Sequence, residues 1–145
     1  EIGLADPRAM QLANDAAQTF ERLGSPEGEL ALGQAVVYLA IAAKSNASYK
    51  AYNAARAYVA NDQSKPVPNH LRNAPTKLMK DIGYGAGYAY DHDSADGFSG
   101  ANYWPDQVPP TQLYQPVERG FERKILERME YWDRLRARNA DPNAS

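Results

Sequence analysis

Glu29-Leu30-Ala31-Leu32-Gly33-Gln34-Ala35-Val36-Val37-Tyr38-Leu39-Ala40-Ile41-Ala42-Ala43-Lys44 is the stretch that decides the fold class. Its apolar residues fall on almost every side of a 3.6-residue period, so it predicts a helix that must be covered on most sides. The uncharged run Leu30 to Ala43 is 14 residues long, short of the roughly 20 that a membrane-spanning helix needs. In a chain of 145 residues, full cover is easier if a second subunit or another domain supplies part of it. A central helix enclosed by its own chain is the alternative. Ser25-Pro26-Glu27 in front of the run is a cap–proline–acid opening.

Working outward, Asp6-Pro7 predicts an earlier helix, because Asp caps free N–H groups and Pro loses a donor that had no partner. Ala9, Leu12, Ala13, Ala16, Phe20 and Leu23 form its apolar face, and Gly24 ends it as a left-handed cap. Downstream, Ser45-Asn46 opens a third helix from Ala47 to about Ala60, with Tyr49, Tyr52, Ala55 and Val59 on one side. Tyrosine has an apolar body and a polar tip, which suits a packing seam. Pro66, Pro68 and Pro75 make residues 61–75 an extended crossover, followed by a short helix over 75–82 that Gly83 ends.

Five glycines and four prolines exclude a long helix between 83 and 117. Residues 84–132 nevertheless hold ten of the fifteen aromatics, and disordered segments are poor in aromatics, so an ordered wrap on the helical body is expected. Phe121, Ile125, Met129, Trp132 and Leu135 then recur at helical spacing and predict a last helix over 118–138. Arg123–Glu127 and Glu130–Arg134 are spaced for surface pairing on it. The fold class is therefore all-α, with an ordered aromatic-rich irregular segment before the last helix. One domain spans residues 1–138, and 139–145 form a flexible tail.

The formal charge of −2 excludes a chain that binds nucleic acid by bulk charge. The absence of cysteine excludes disulfides, thiolate nucleophiles and cysteine-ligated zinc. No Gly-Lys-Ser/Thr is present, and Gly83-Tyr84-Gly85-Ala86-Gly87 carries no basic residue, so nothing here encircles a nucleotide phosphate. Asp91-His92-Asp93-Ser94-Ala95-Asp96-Gly97 does not follow EF-hand spacing, and its nearest further imidazole is the distant His70. An acidic turn is the reading; a hydrolase built on His92 with Asp91 or Asp93 lacks a nucleophile. The best local basic patch is His70, Arg72, Lys77 and Lys80, with no acid until Asp81. It suits phosphates or an acidic partner, or is simply a solvated helix edge.

The order of segments resembles a known family. The matching stretches are Gly3 to Met10, then Pro26-Glu27-Gly28-Glu29 with Gln34 to Ala40, then Lys44-Ser45-Asn46-Ala47. Val67-Pro68 and His70 to Lys80 follow, running into Gly83-Tyr84-Gly85, then Tyr88, Tyr90, His92-Asp93, Arg119-Gly120 and Tyr131-Trp132. Over about residues 2–135 the chain resembles the C-terminal domain of the replication-associated recombination protein A family (RarA, also called MgsA), AAA+ ATPases related to clamp loaders.

The resemblance implies a helical oligomerisation domain that joins copies into a homotetramer, downstream of an ATPase module that this chain does not contain. It implies a parent protein using ATP and Mg, located in the cytoplasm at the nucleoid, acting at stalled forks with DNA and single-stranded DNA-binding protein. No membrane partner is expected, and no cofactor, metal or catalytic residue is assigned within this chain. The expected oligomer contacts are Val36, Val37, Leu39, Ala40, Tyr49 and Tyr52. The alternative is a DNA-contacting module built on His70, Arg72, Lys77 and Lys80.

Overall fold

The computed structural model describes residues 1–62, 64–94 and 96–140. Five α-helices run in order: α1 (Arg8–Leu23), α2 (Glu27–Ile41), α3 (Ala47–Ala60), α4 (Lys77–Asp81) and α5 (Glu122–Ala140). Three short 3₁₀ turns accompany them, and no strand occurs among the described residues. The fold class is all-α, as expected. The described residues divide into two compact units, one of residues 1–58 with 113–128, the other of 59–112 with 129–140.

In the first unit, Asp6 sets the start of α1 by accepting the Arg8 N–H at 3.1 Å. Its other carboxylate oxygen accepts the Tyr38 hydroxyl at 2.7 Å, which ties the end of α2 to the start of α1. That bond holds the Tyr38 phenol above its ordinary pKa, because Asp6 stabilises the protonated hydroxyl. Helices α1 and α2 pack closely through Gly28, where a Cβ would stand 2.7 Å from the Phe20 Cα. The buried apolar residues of this unit are all alanines: Ala5, Ala9, Ala16, Ala35 and Ala47. Gly24 follows α1 with φ 67° and ψ −164°, a positive φ but not the left-handed helical cap read from the sequence.

Helix α2 stops at Ile41, three residues before the Lys44 expected, because Ala42 is extended at φ −61° and ψ 141°. Lys44 closes the helix end from outside by donating to the carbonyls of Leu39 and Ala42, at 3.0 and 3.3 Å. Helix α3 spans the residues expected of it. Its opening is braced by Ser45, a buried hydroxyl that accepts the Ala47 N–H at 3.1 Å.

The chain returns to this unit at residue 113. The Phe121 N–H donates to the Ala5 carbonyl at 2.8 Å, and Arg119 donates to the Lys44 carbonyl at 3.2 Å. Gly120, at φ 54°, makes that approach possible. Helix α5 therefore begins at Glu122, four residues after the expected Glu118. Glu122 is wholly buried, and one of its oxygens accepts the Val117 N–H at 2.7 Å.

Burial and the Glu122 carboxylate push the nearby Tyr114 phenol up to about 12. Unfolded tyrosine titrates near 10, so the fold favours the protonated phenol. The stability this contributes is whole below about pH 10 and is lost as pH rises through the folded value. Tyr114→Phe should therefore lose about 1 kcal/mol less between pH 9 and pH 12 than the unsubstituted chain, after discount for the ring's solvent-facing edge. Urea midpoints at the two pH values measure it. Equal losses in both proteins would mean that Tyr114 is not the group responsible.

In the second unit, Thr76 caps α4 by accepting the Met79 N–H at 3.3 Å. Val108 and Leu135 are its buried apolar side chains. Phe98 and Trp132 stack at 5.9 Å between centroids; the Arg136 guanidinium lies 5.1 Å from the Phe98 ring centroid, and Arg138 pairs with Asp96. The expected aromatic wrap is not supported. Tyr88, Tyr90 and Tyr103 are each more than half exposed, so these rings do not anchor the segment by burial. On α5, neither expected surface pair carries the charge pattern: Arg123 donates to the Glu118 carbonyl, and Arg136 pairs with Asp133 at 2.7 Å. The expected tail at 139–145 begins two residues inside α5, and residues 141–145 lie outside those described.

Candidate functional site

The alanine core explains where the large side chains of α2 and α3 went. The fully buried residues of α2 are Gly28 and Ala35, with Ala31, Tyr38 and Leu39 half-buried on the same side. The bulky residues face out: Leu30 is 78% exposed, Val36 66%, Val37 64% and Ile41 80%. On α3, Tyr49, Tyr52 and Val59 are 68%, 62% and 71% exposed. Exposed apolar patches of large side chains, when contiguous, mark interaction sites. Of the residues expected to meet another copy, Val36, Val37, Ala40, Tyr49 and Tyr52 are exposed, while Leu39 is half-buried on the opposite arc of α2. Leu30, Ile41 and Val59 belong with the exposed set and were missed. The signal for the first two was present, since Leu30, Val37 and Ile41 are separated by seven and four residues and share one helix azimuth.

The basic patch is taken apart by the fold. Arg72 is occupied: its Nε donates to the Val67 carbonyl and its Nη1 to the Tyr84 hydroxyl, both at 2.7 Å, with the guanidinium 4.8 Å over the Tyr84 ring. His70 is joined through Nε2 to the Asn102 carbonyl at 3.0 Å. Both residues therefore brace loops. Lys77 and Lys80 are exposed on α4.

The acidic turn is likewise structural. Asp91 accepts both the Ser99 N–H, at 2.9 Å, and the Ser99 hydroxyl, at 2.5 Å. The hydroxyl bond, then the backbone bond, hold its carboxyl below the usual carboxylate range. His92 rests against the Tyr90 ring at 5.0 Å. Among the described residues, no three His, Asp or Glu side chains are gathered so that they could hold a metal ion. No helix among them is long and apolar enough to cross a membrane.

The first unit thus buries alanines while Val36 and Val37 face outward, and comparison with known proteins agrees with the order of the chain's segments. The family described as "MgsA AAA+ ATPase C terminal" matches residues 1–133. The chain belongs to that family. Within the MgsA C-terminal family it is 57% identical over 136 residues to the replication-associated recombination protein A of Coxiella burnetii, covering 93% of this chain and 31% of that protein. It is 51% identical over 130 residues to the Escherichia coli K12 protein of the same name, covering 89% and 29%. Against the Dictyostelium discoideum "ATPase WRNIP1" the identity is 45% over 129 residues, covering 86% and 14%. The chain thus spans about a third or less of the relatives it matches. It corresponds to the C-terminal region described by that family and carries no Gly-Lys-Ser/Thr nucleotide-binding motif.

Proposed function

We propose that the chain is the assembly domain of its parent protein and holds copies together as a homotetramer. The observation that supports this is the set of uncovered large apolar side chains on α2 and α3, in a unit whose buried apolar residues are all alanines. Closed symmetry gives each copy a partner for every such face. The ATPase module, with ATP and Mg, belongs to the rest of the parent chain. The names of its relatives support a part in replication-associated recombination; action at stalled forks in the cytoplasm, with DNA and single-stranded DNA-binding protein as partners, extends that reading along the family resemblance. Two co-expressed copies carrying different affinity tags test the reading. Each tag should recover both copies; recovery of only the tagged copy would reject self-assembly.

A second reading rests on Lys77 and Lys80, exposed side by side on α4. With Arg72 occupied, only two cations remain to meet phosphates. Binding of single-stranded DNA should accordingly be weak and fall with salt at a log–log slope of about −1.4, the value for two released counterions. Lys77→Glu with Lys80→Glu should abolish it. Fluorescence anisotropy across a salt series measures the slope, and no binding at low salt removes this role from the domain.

A further inference from the structure

The uncovered arc of α2 has a relief. At about 100° per residue, Leu30, Val37 and Ile41 fall within about 40° of one another and form a ridge along the helix. Gly33 and Ala40 lie beside them as a hollow, and Val36 stands on its far side. Gly33 has no internal reason to be glycine: a Cβ there would meet nothing within 4 Å, and its φ is not positive. A glycine inside an exposed helix weakens it relative to alanine, so its use in this copy's own fold is not apparent from packing. The arc carries no cation; its one acid, Glu29, sits at the N-terminal end, where its carboxylate accepts the Ser25 hydroxyl at 2.6 Å.

Resting on the assembly reading above, we infer that α2 docks against α2 of a second copy, antiparallel about a two-fold axis, with Val37 of each copy seated over Gly33 of the other. Three observations fit a second copy as occupant. The ridge and hollow themselves carry no charge, so they select no charged partner. Its hollow and ridge complement each other only when the helix is reversed: a register that sets Gly33 opposite Val37 also sets Leu30 opposite Ile41, one residue sum apart. A parallel pair would instead oppose glycine to glycine and valine to valine. The exposed area also fits. Leu30, Val36, Val37 and Ile41 are each 64–80% exposed, so covering them on two copies would approach the lower end of specific stable interfaces, about 1,200 Å². Ridge-into-groove packing of this kind brings helix axes to about 8 Å where the hollow is glycine.

The test is an exchange of the two side chains, read by sedimentation as a dissociation constant. Gly33→Val fills the hollow and Val37→Gly removes the knob, so each alone should weaken self-association at least tenfold. The double variant Gly33→Val/Val37→Gly has the composition of the original helix and should recover to within about threefold. Far-ultraviolet circular dichroism of each variant checks that the helices persist; Gly33→Val has open space to enter, which keeps the test valid even if Val37→Gly frays α2. Association that is unchanged by both single variants would place the contact on α3 and overturn this inference while leaving assembly standing. Failure of the double variant to recover would overturn the antiparallel register. A monomeric unsubstituted chain would overturn the assembly reading itself.

Discussion

Gly120→Ala is expected to destabilise the chain by about 2–5 kcal/mol, an overpacking cost of about 1–3 with about 1–2 more for the positive φ. A Cβ at this position would stand 2.0 Å from the Ala5 carbonyl oxygen and 3.1 Å from the Ala43 Cβ. The oxygen cannot retreat, because it also accepts the Phe121 N–H at 2.8 Å, the bond that fixes the entry of α5. The φ of 54° adds a separate penalty for any residue with a side chain. Relief requires the 119–121 turn to lift away from the N-terminal segment, which breaks the Phe121 bond and exposes the neighbouring Glu122. Urea denaturation followed by circular dichroism measures the effect. A loss under about 1 kcal/mol would show that the turn does not sit against Ala5.

Val36→Asp combined with Val37→Asp is expected to weaken self-association at least a hundredfold while leaving each copy folded. Both side chains are about two-thirds exposed in the single copy, and surface substitutions usually change stability by no more than about 0.5 kcal/mol. Against another copy the same carboxylates would be buried without partners, and symmetry would face like charges with like, so the cost appears only on association. Sedimentation reports the assembly and thermal melting reports the fold. Undiminished association would remove α2 from the interface. Unfolding of the variant would mean instead that these valines support the single copy.

The contrast between these two predictions shows where the sequence was legible. Periodicity placed α1, α2 and α3, since a 3.6-residue pattern and its caps are local signals. It also marked α2 as needing cover on most sides, by its own chain or by another copy, without deciding between them. Local signals say nothing about which backbone approaches which, so Gly28 and Gly120 read as ordinary glycines although each marks a contact too close for a Cβ. Glu122 looked like one more acid on an amphipathic surface, yet it is the wholly buried residue that receives the Val117 N–H. Arg72 looked available to phosphate because its partners, the Val67 carbonyl and the Tyr84 hydroxyl, come from a crossover and a glycine-rich loop with no period to read. The aromatic segment misled for a related reason: a high density of rings predicts order, but Tyr88, Tyr90 and Tyr103 keep more than half of their surface in solvent.

Multi-angle light scattering on the unsubstituted chain at tens of micromolar tests the central claim most directly. Four copies of a 16.0 kDa chain give about 64 kDa, which is the mass the account predicts. A single species of 16.0 kDa across that concentration range would contradict it, because the outward valines of α2 would then stand in water with nothing to cover them.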